Sequence, residues 1–139
     1  MADRTFFDTN VLVYAFDRGD PRRQPIAARL LEGALAEGSA VMSLQVLQEF
    51  FVVVTRKVRT PIPPVRARAL VAEFLRHPVI EPTGAHLLRA IDLSMQVSIS
   101  FWDALIVTTA EAAGCSVLYT EDLTAGSLPF GVRLVDPFA

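Results

Sequence analysis

Short apolar runs set between helix-length stretches constrain this chain more than any other feature. Phe6 with Phe7, "SAVMS" (39–43), Pro78 to Pro82, "SVLYT" (116–120) and "VRLVD" (132–136) each read as a short strand. The first four are separated by segments far longer than a hairpin turn. The spacing of Val11, Leu12, Tyr14 and Ala15 predicts a helix starting at Asp8-Thr9-Asn10. Ile26, Ala27, Leu30, Leu31, Ala34 and Leu35 predict another between Pro21 and Glu37, stopped by Gly38. "LQVLQEFFVVVTRKV" mixes a β-branched run with helical length and a basic finish, and we read it as helix. "VRARALVAEFLRH" predicts an amphipathic helix with Val65, Ala69, Ala72 and Leu75 on one side and arginines on the other. Thr83 to Val97 and "SISFWDALIVTTAEAAG", closing on Gly114, predict two more, and "LTAGSLPFG" reads as a loop before the last strand. Parallel strands need crossovers of this length. The expected class is therefore α/β: a doubly wound, mostly parallel central sheet with helices on both faces.

A chain of 139 residues fits one domain, 1–139, and buries about two-thirds of its unfolded surface. The lone Cys115 cannot form an internal disulfide, and with no signal-like start the chain reads as cytoplasmic. Charge interrupts its apolar runs before the ~20 residues that a membrane span needs, so no membrane role is expected. A net charge of −2 and a pI near 5.6 give no global case for nucleic-acid binding. The basic residues are unevenly spread. Arg56, Lys57, Arg59, Arg66 and Arg68 share a stretch without acids between Phe50 and Ala72, and as a cluster they suit RNA or an acidic partner.

Asp8 stands in "TFFDTNVLVYAF", where a carboxylate removed from water needs a partner, a proton or a metal. Glu49 in "VLQEFFVVV" and Asp103 in "SFWDALIV" have no basic residue three or four positions away, so no helical ion pair explains them. Asp122 follows the strand "SVLYT". Each acid also has a bland reading: Asp8 or Thr9 as a helix cap, Asp103 as the acid of a capping box after Ser100, Glu49 on an outward helix face, Asp122 as turn chemistry. Strand ends in an α/β sheet converge on one crevice, and carboxylates gathered there repel one another unless a cation lies between them. Oxygen donors point to Mg²⁺ or Mn²⁺; His77, His86 and one cysteine do not build a zinc site.

In order, "FDTNVLVYA", "SLQVLQEF", "SFWDALIV" and "LYTED" make the chain resemble PIN-domain ribonucleases of the VapC toxin type, over nearly its whole length. The resemblance implies a PIN-like fold, metal-dependent endoribonuclease activity and, for the toxin branch, neutralisation by an antitoxin encoded beside it. It carries Asp8, Glu49, Asp103 and Asp122 onto an acidic tetrad, with Asp8 and Asp103 the most direct metal ligands. It also implies support from Asn10, Thr120 and Ser43, each of which has a cap or turn reading of its own. Glu121 competes with Asp122, whose Thr-x-Asp spacing matches the family better.

A haloacid-dehalogenase-like phosphatase is the rival enzyme. It usually carries a second aspartate where this chain has Asn10, and a late lysine where the only lysine is Lys57. A catalytically weak PIN-like binding module is the rival of another class. Trp102 reads as core before it reads as a stacking platform for a base. Phe50, Phe51 and the first helix are the apolar surface expected to cover a homodimer or antitoxin interface.

Overall fold

The computed structural model describes residues 3–123 and 131–139. The order of elements is β1 (Thr5–Phe7), α1 (Thr9–Tyr14), α2 (Arg23–Glu37), β2 (Ala40–Ser43), α3 (Leu44–Arg56), α4 (Pro64–Phe74), β3 (Val79–Ile80), α5 (Gly84–Gln96), α6 (Phe101–Ala112), β4 (Val117–Tyr119) and β5 (Arg133–Val135). Every strand pairing is parallel, in the order β3-β2-β1-β4-β5. Residues 124–130, most of the expected "LTAGSLPFG" loop, lie outside the described residues.

Helices cover both sheet faces. Phe6 and Phe7 point to opposite faces of β1, yet each is 0% exposed. All four residues of β2 are buried as well. Gly38 and Gly114 adopt φ of 72° and 73° just past α2 and α6, a left-handed conformation in which a Cβ is strained. Thr83 caps α5 in a box with His86, whose Nδ1 accepts the Thr83 N–H at 3.0 Å. That histidine is part of the helix cap.

The Phe-Phe-Val-Val-Val run is helical because Val46, Leu47, Phe50 and Val54 form one buried stripe along α3. Tertiary burial outweighs the β-branched preference there.

Two expectations are corrected. In α4 the buried stripe contains Ala67 and Phe74, while Val65 and Leu75 are 83% and 53% exposed. The ring of Phe74 packs edge-on against Phe16 and Phe50, at 5.9 Å and 5.6 Å between centroids, and that large apolar surface sets the rotation of the helix. The expected interface residues are also core in large part: Phe50 is fully buried and α1 buries Val11, Leu12 and Val13. Phe51, expected there as well, is exposed beside Val52 of α3, and further exposed apolar side chains lie on α5, at Leu87, Leu88, Ile91 and Met95. Among the described residues, no helix is long and apolar enough to cross a membrane.

Candidate active site

From β1 the chain steps outward through β2 to β3, then crosses back to β4 on the other side of β1. Connections leaving β1 and β4 therefore diverge at their carboxyl ends, where α/β sheets open to ligands. Asp8 follows β1 and Thr120 follows β4. They meet there: the Thr120 hydroxyl donates to Asp8 Oδ2 at 2.8 Å, and the Thr9 N–H donates to Asp8 Oδ1 at 2.7 Å. Asp8 thus caps α1 and also lines the crevice, so its two sequence readings are compatible.

The other acids arrive from different elements. Glu49 lies on α3, with Oε2 accepting from the Thr9 hydroxyl at 2.7 Å and Oε1 from Gln45 Nε2 at 3.0 Å. Asp103 stands in the first turn of α6, where its N–H donates to the Ser100 hydroxyl at 3.0 Å; among the described residues the return bond that would complete the expected capping box is absent. Asp122 accepts from Asn10 Nδ2 at 2.9 Å, and Asn10 Oδ1 accepts the Glu121 N–H at 3.2 Å. Asp8, Glu49, Asp103 and Asp122 all line one cleft of about 480 Å³, with Lys57, Arg59 and Trp102 also on its walls.

Burial pushes the Asp8 carboxyl up to about 6 from its ordinary 3.8. The hydrogen bonds from Thr120 and Thr9 oppose the rise, and the charges of Asp103 and Glu49 add to it. Burial also raises Asp103; the Ser100 hydrogen bond opposes this, and Asp122 and Glu49 add to it. The acids feel one another without a compensating base: among the described residues, no lysine or arginine stands within ion-pair distance of any of the four. Gln45 Oε1 is buried at the cleft wall without a hydrogen-bond partner. An all-oxygen, mutually repelling donor set fits a hard divalent cation. Among the described residues, however, no three acids, histidines or cysteines converge into a ready coordination group.

Of the supporting residues, Asn10 and Thr120 bond directly to acids. Ser43 does not line the cleft. Its hydroxyl accepts from the Val46 N–H at 3.2 Å and caps α3, the helix that carries Glu49. Glu121 turns away into a pair with Arg23 at 2.6 Å. Trp102 corrects the core reading, since it is 61% exposed, with its ring edge-on to Phe101 at 5.1 Å between centroids. Sequence reading missed Gln45 and Thr9 as holders of Glu49. The Gln45–Glu49 spacing of four was a readable signal on a helix, whereas Thr9 was hidden by its plausibility as a cap.

The PIN domain family profile matches residues 5–128. No curated protein matches the chain significantly in sequence. Among solved structures, a toxin–antitoxin complex from Klebsiella pneumoniae aligns with a TM-score of 0.70 at 22% identity, over 96% of this chain and 97% of that one. DNA-bound VapBC from Salmonella typhimurium aligns at 0.68 and 19% identity, over 98% and 99% of the two chains. A sarcin–ricin loop cleaving VapC toxin from Mycobacterium tuberculosis aligns at 0.63 and 21%, over 85% and 89%. At such identities the likeness is one of fold.

Proposed function

Because the chain belongs to the PIN domain family, we propose that residues 1–139 form a single-domain Mg²⁺- or Mn²⁺-dependent endoribonuclease acting in the cytoplasm as the toxin of a toxin–antitoxin pair. The observation that carries this reading is the gathering of Asp8, Glu49, Asp103 and Asp122 around one cleft at the sheet's switch point, with no basic group paired to any of them among the described residues. The four carboxylates would hold the ion, which when bound offsets charge on the phosphoryl oxygens and acidifies a water for attack on phosphorus.

The chain's own residues prepare that chemistry. Thr120 and the Thr9 N–H fix both oxygens of Asp8, while the Thr9 hydroxyl and Gln45 fix those of Glu49. Neither histidine lines the cleft, so the carboxylates are the side chains there suited to accept a proton. Lys57 and Arg59 offer cations to flanking phosphates, and exposed Trp102 offers a face to an unstacked base. Single-stranded or looped RNA is the fitting substrate. An antitoxin partner is supported by the fold's likeness to toxin–antitoxin complexes, and a homodimer by the apolar stripe of α5.

A PIN-like module that binds without cutting is the second reading, favoured by the lack of a preassembled three-ligand group among the described residues. One experiment separates the two. Wild type, Asp8→Ala and Asp103→Ala, purified identically, are incubated with looped RNA in Mn²⁺, Mg²⁺ or EDTA. Cutting by wild type alone, abolished in EDTA, supports the nuclease. Cutting that survives both substitutions or EDTA refutes it, and RNA binding without any cutting favours the module.

A further inference from the structure

Two acids follow β4 in succession, and their surroundings differ sharply. Glu121 is fully engaged: Oε2 accepts from Arg23 Nε at 2.6 Å and Oε1 from the Tyr14 hydroxyl at 2.9 Å. Arg23 is braced in turn. Its Nη1 pairs with Asp20 at 3.1 Å, and its guanidinium lies 5.2 Å from the Tyr14 ring centroid and 5.8 Å from that of Phe138. Tyr14 and Phe138 meet edge to face at 5.1 Å. Two helices therefore grip one glutamate, through Tyr14 of α1 and Arg23 of α2, and Phe138 braces both gripping side chains. Asp122 is exposed and, among the described residues, takes one side-chain bond, from Asn10, on the cleft side.

This asymmetry has a physical use. Asp103 and Asp122 carry like charge on the walls of one cleft, and Asp122 lies beyond the end of β4, outside any strand or helix among the described residues. Left to itself, such a carboxylate swings into solvent. An arginine pair at the preceding residue resists that swing, since a planar guanidinium held by an acid and two rings has few alternative positions.

We propose that Arg23, Tyr14 and Glu121 form a positioning clamp whose task is to keep Asp122 facing the other acids across the cleft. The clamp touches neither RNA nor metal; it acts through Asp122 and Asn10. The proposal rests on the acidic-tetrad reading given above, and its test is chosen to fail separately from that reading.

Mn²⁺ binding to the full chain is measured by calorimetry for wild type, Arg23→Ala, Asp122→Asn and the double variant, with circular dichroism as the check on folding. Residues that orient a metal ligand typically lower affinity by about tenfold or more when removed. Arg23→Ala should weaken Mn²⁺ binding on that scale, and the double variant should bind no more weakly than Asp122→Asn. That non-additivity is something a general loss of stability does not produce. If Arg23→Ala does not fold, Glu121→Gln and Tyr14→Phe replace it in the same cycle. Wild-type affinity in the clamp variants, or losses that add to that of Asp122→Asn, overturns the clamp while leaving the tetrad standing. Wild-type affinity in Asp122→Asn, or no Mn²⁺ binding by wild type, overturns the tetrad reading and the clamp together.

Discussion

Asp8 bears the clearest electrostatic conflict in the molecule, a carboxyl whose burial raises it from 3.8 to about 6. The folded chain holds this proton more tightly than the unfolded chain does. Without metal, the stabilisation is therefore complete below the unfolded value and is lost as pH rises through about 6, amounting to about 3 kcal/mol by linkage. Asp8→Asn should remove that slope and, in EDTA above pH 6, melt higher than wild type; equal slopes in urea titrations between pH 4 and 7.5 would show that Asp8 is not strained. Added Mn²⁺ should reverse the ranking, because only the carboxylate binds it well. At the cleft rim, Trp102 is the chain's one tryptophan, so its fluorescence reports a single place. RNA should quench it in EDTA, and Trp102→Ala should weaken binding by about 1–3 kcal/mol. Lys57→Ala with Arg59→Ala should flatten the salt dependence by a slope of about 2, one per phosphate contact. No quenching, with affinity unchanged in Trp102→Ala, refutes the stacking role. Asp8, Glu49 and Asp103 stood out in the sequence because a carboxylate amid apolar residues is unusual, whereas Asp122 stood out only by its place after a strand and by the family resemblance. Of the groups that orient these acids, Asn10 and Thr120 were legible through the family resemblance and Gln45 was readable from its spacing to Glu49, whereas Thr9 was not, since its use as a cap looks the same until long-range contacts are known.

At the scale of elements, the strand and helix order was readable from period and punctuation, as at Gly38 and Gly114, where the backbone takes the left-handed turn that those glycines predict. Rotation of a helix about its axis was harder. α4 offers several apolar stripes, and the one that faces inward is set by Phe74 meeting Phe16 and Phe50 from two other parts of the chain. The sequence cannot announce that meeting. Phe74→Ala should accordingly lower stability by about 3–5 kcal/mol through lost contact and a cavity. Leu75→Ala, at the adjacent exposed position, should stay within about 0.5 kcal/mol of wild type. Denaturant midpoints at constant slope check both, and a larger loss at Leu75 would restore the stripe expected from sequence.

On the scale of the whole molecule, the central strands β1 and β2 are covered on both faces, so the apolar side chains left exposed on the helices must answer to something other than this core. Leu87, Leu88, Ile91 and Met95 run along one side of α5, while Ala90 and Leu93 on the other side are buried. Leu88 at 64% exposed and Met95 at 74% are the most open, and contiguous apolar surface of this kind marks an interface. Neither side chain lines the acidic cleft, so a partner bound on α5 leaves the cleft walls uncovered. A second copy on this surface is compatible with RNA access, whereas a neutralising partner has to reach the acids by another route. Leu88→Glu combined with Met95→Glu should therefore turn a dimer into a monomer by light scattering, because carboxylates buried at a symmetric contact face their own copies without counter-charge. Circular dichroism and Mn²⁺ affinity should stay at wild-type values, since neither residue contributes to the core or the cleft. A dimer that survives both substitutions assigns the contact to another surface, and wild type that is monomeric at micromolar concentration refutes a contact between copies on the α5 stripe.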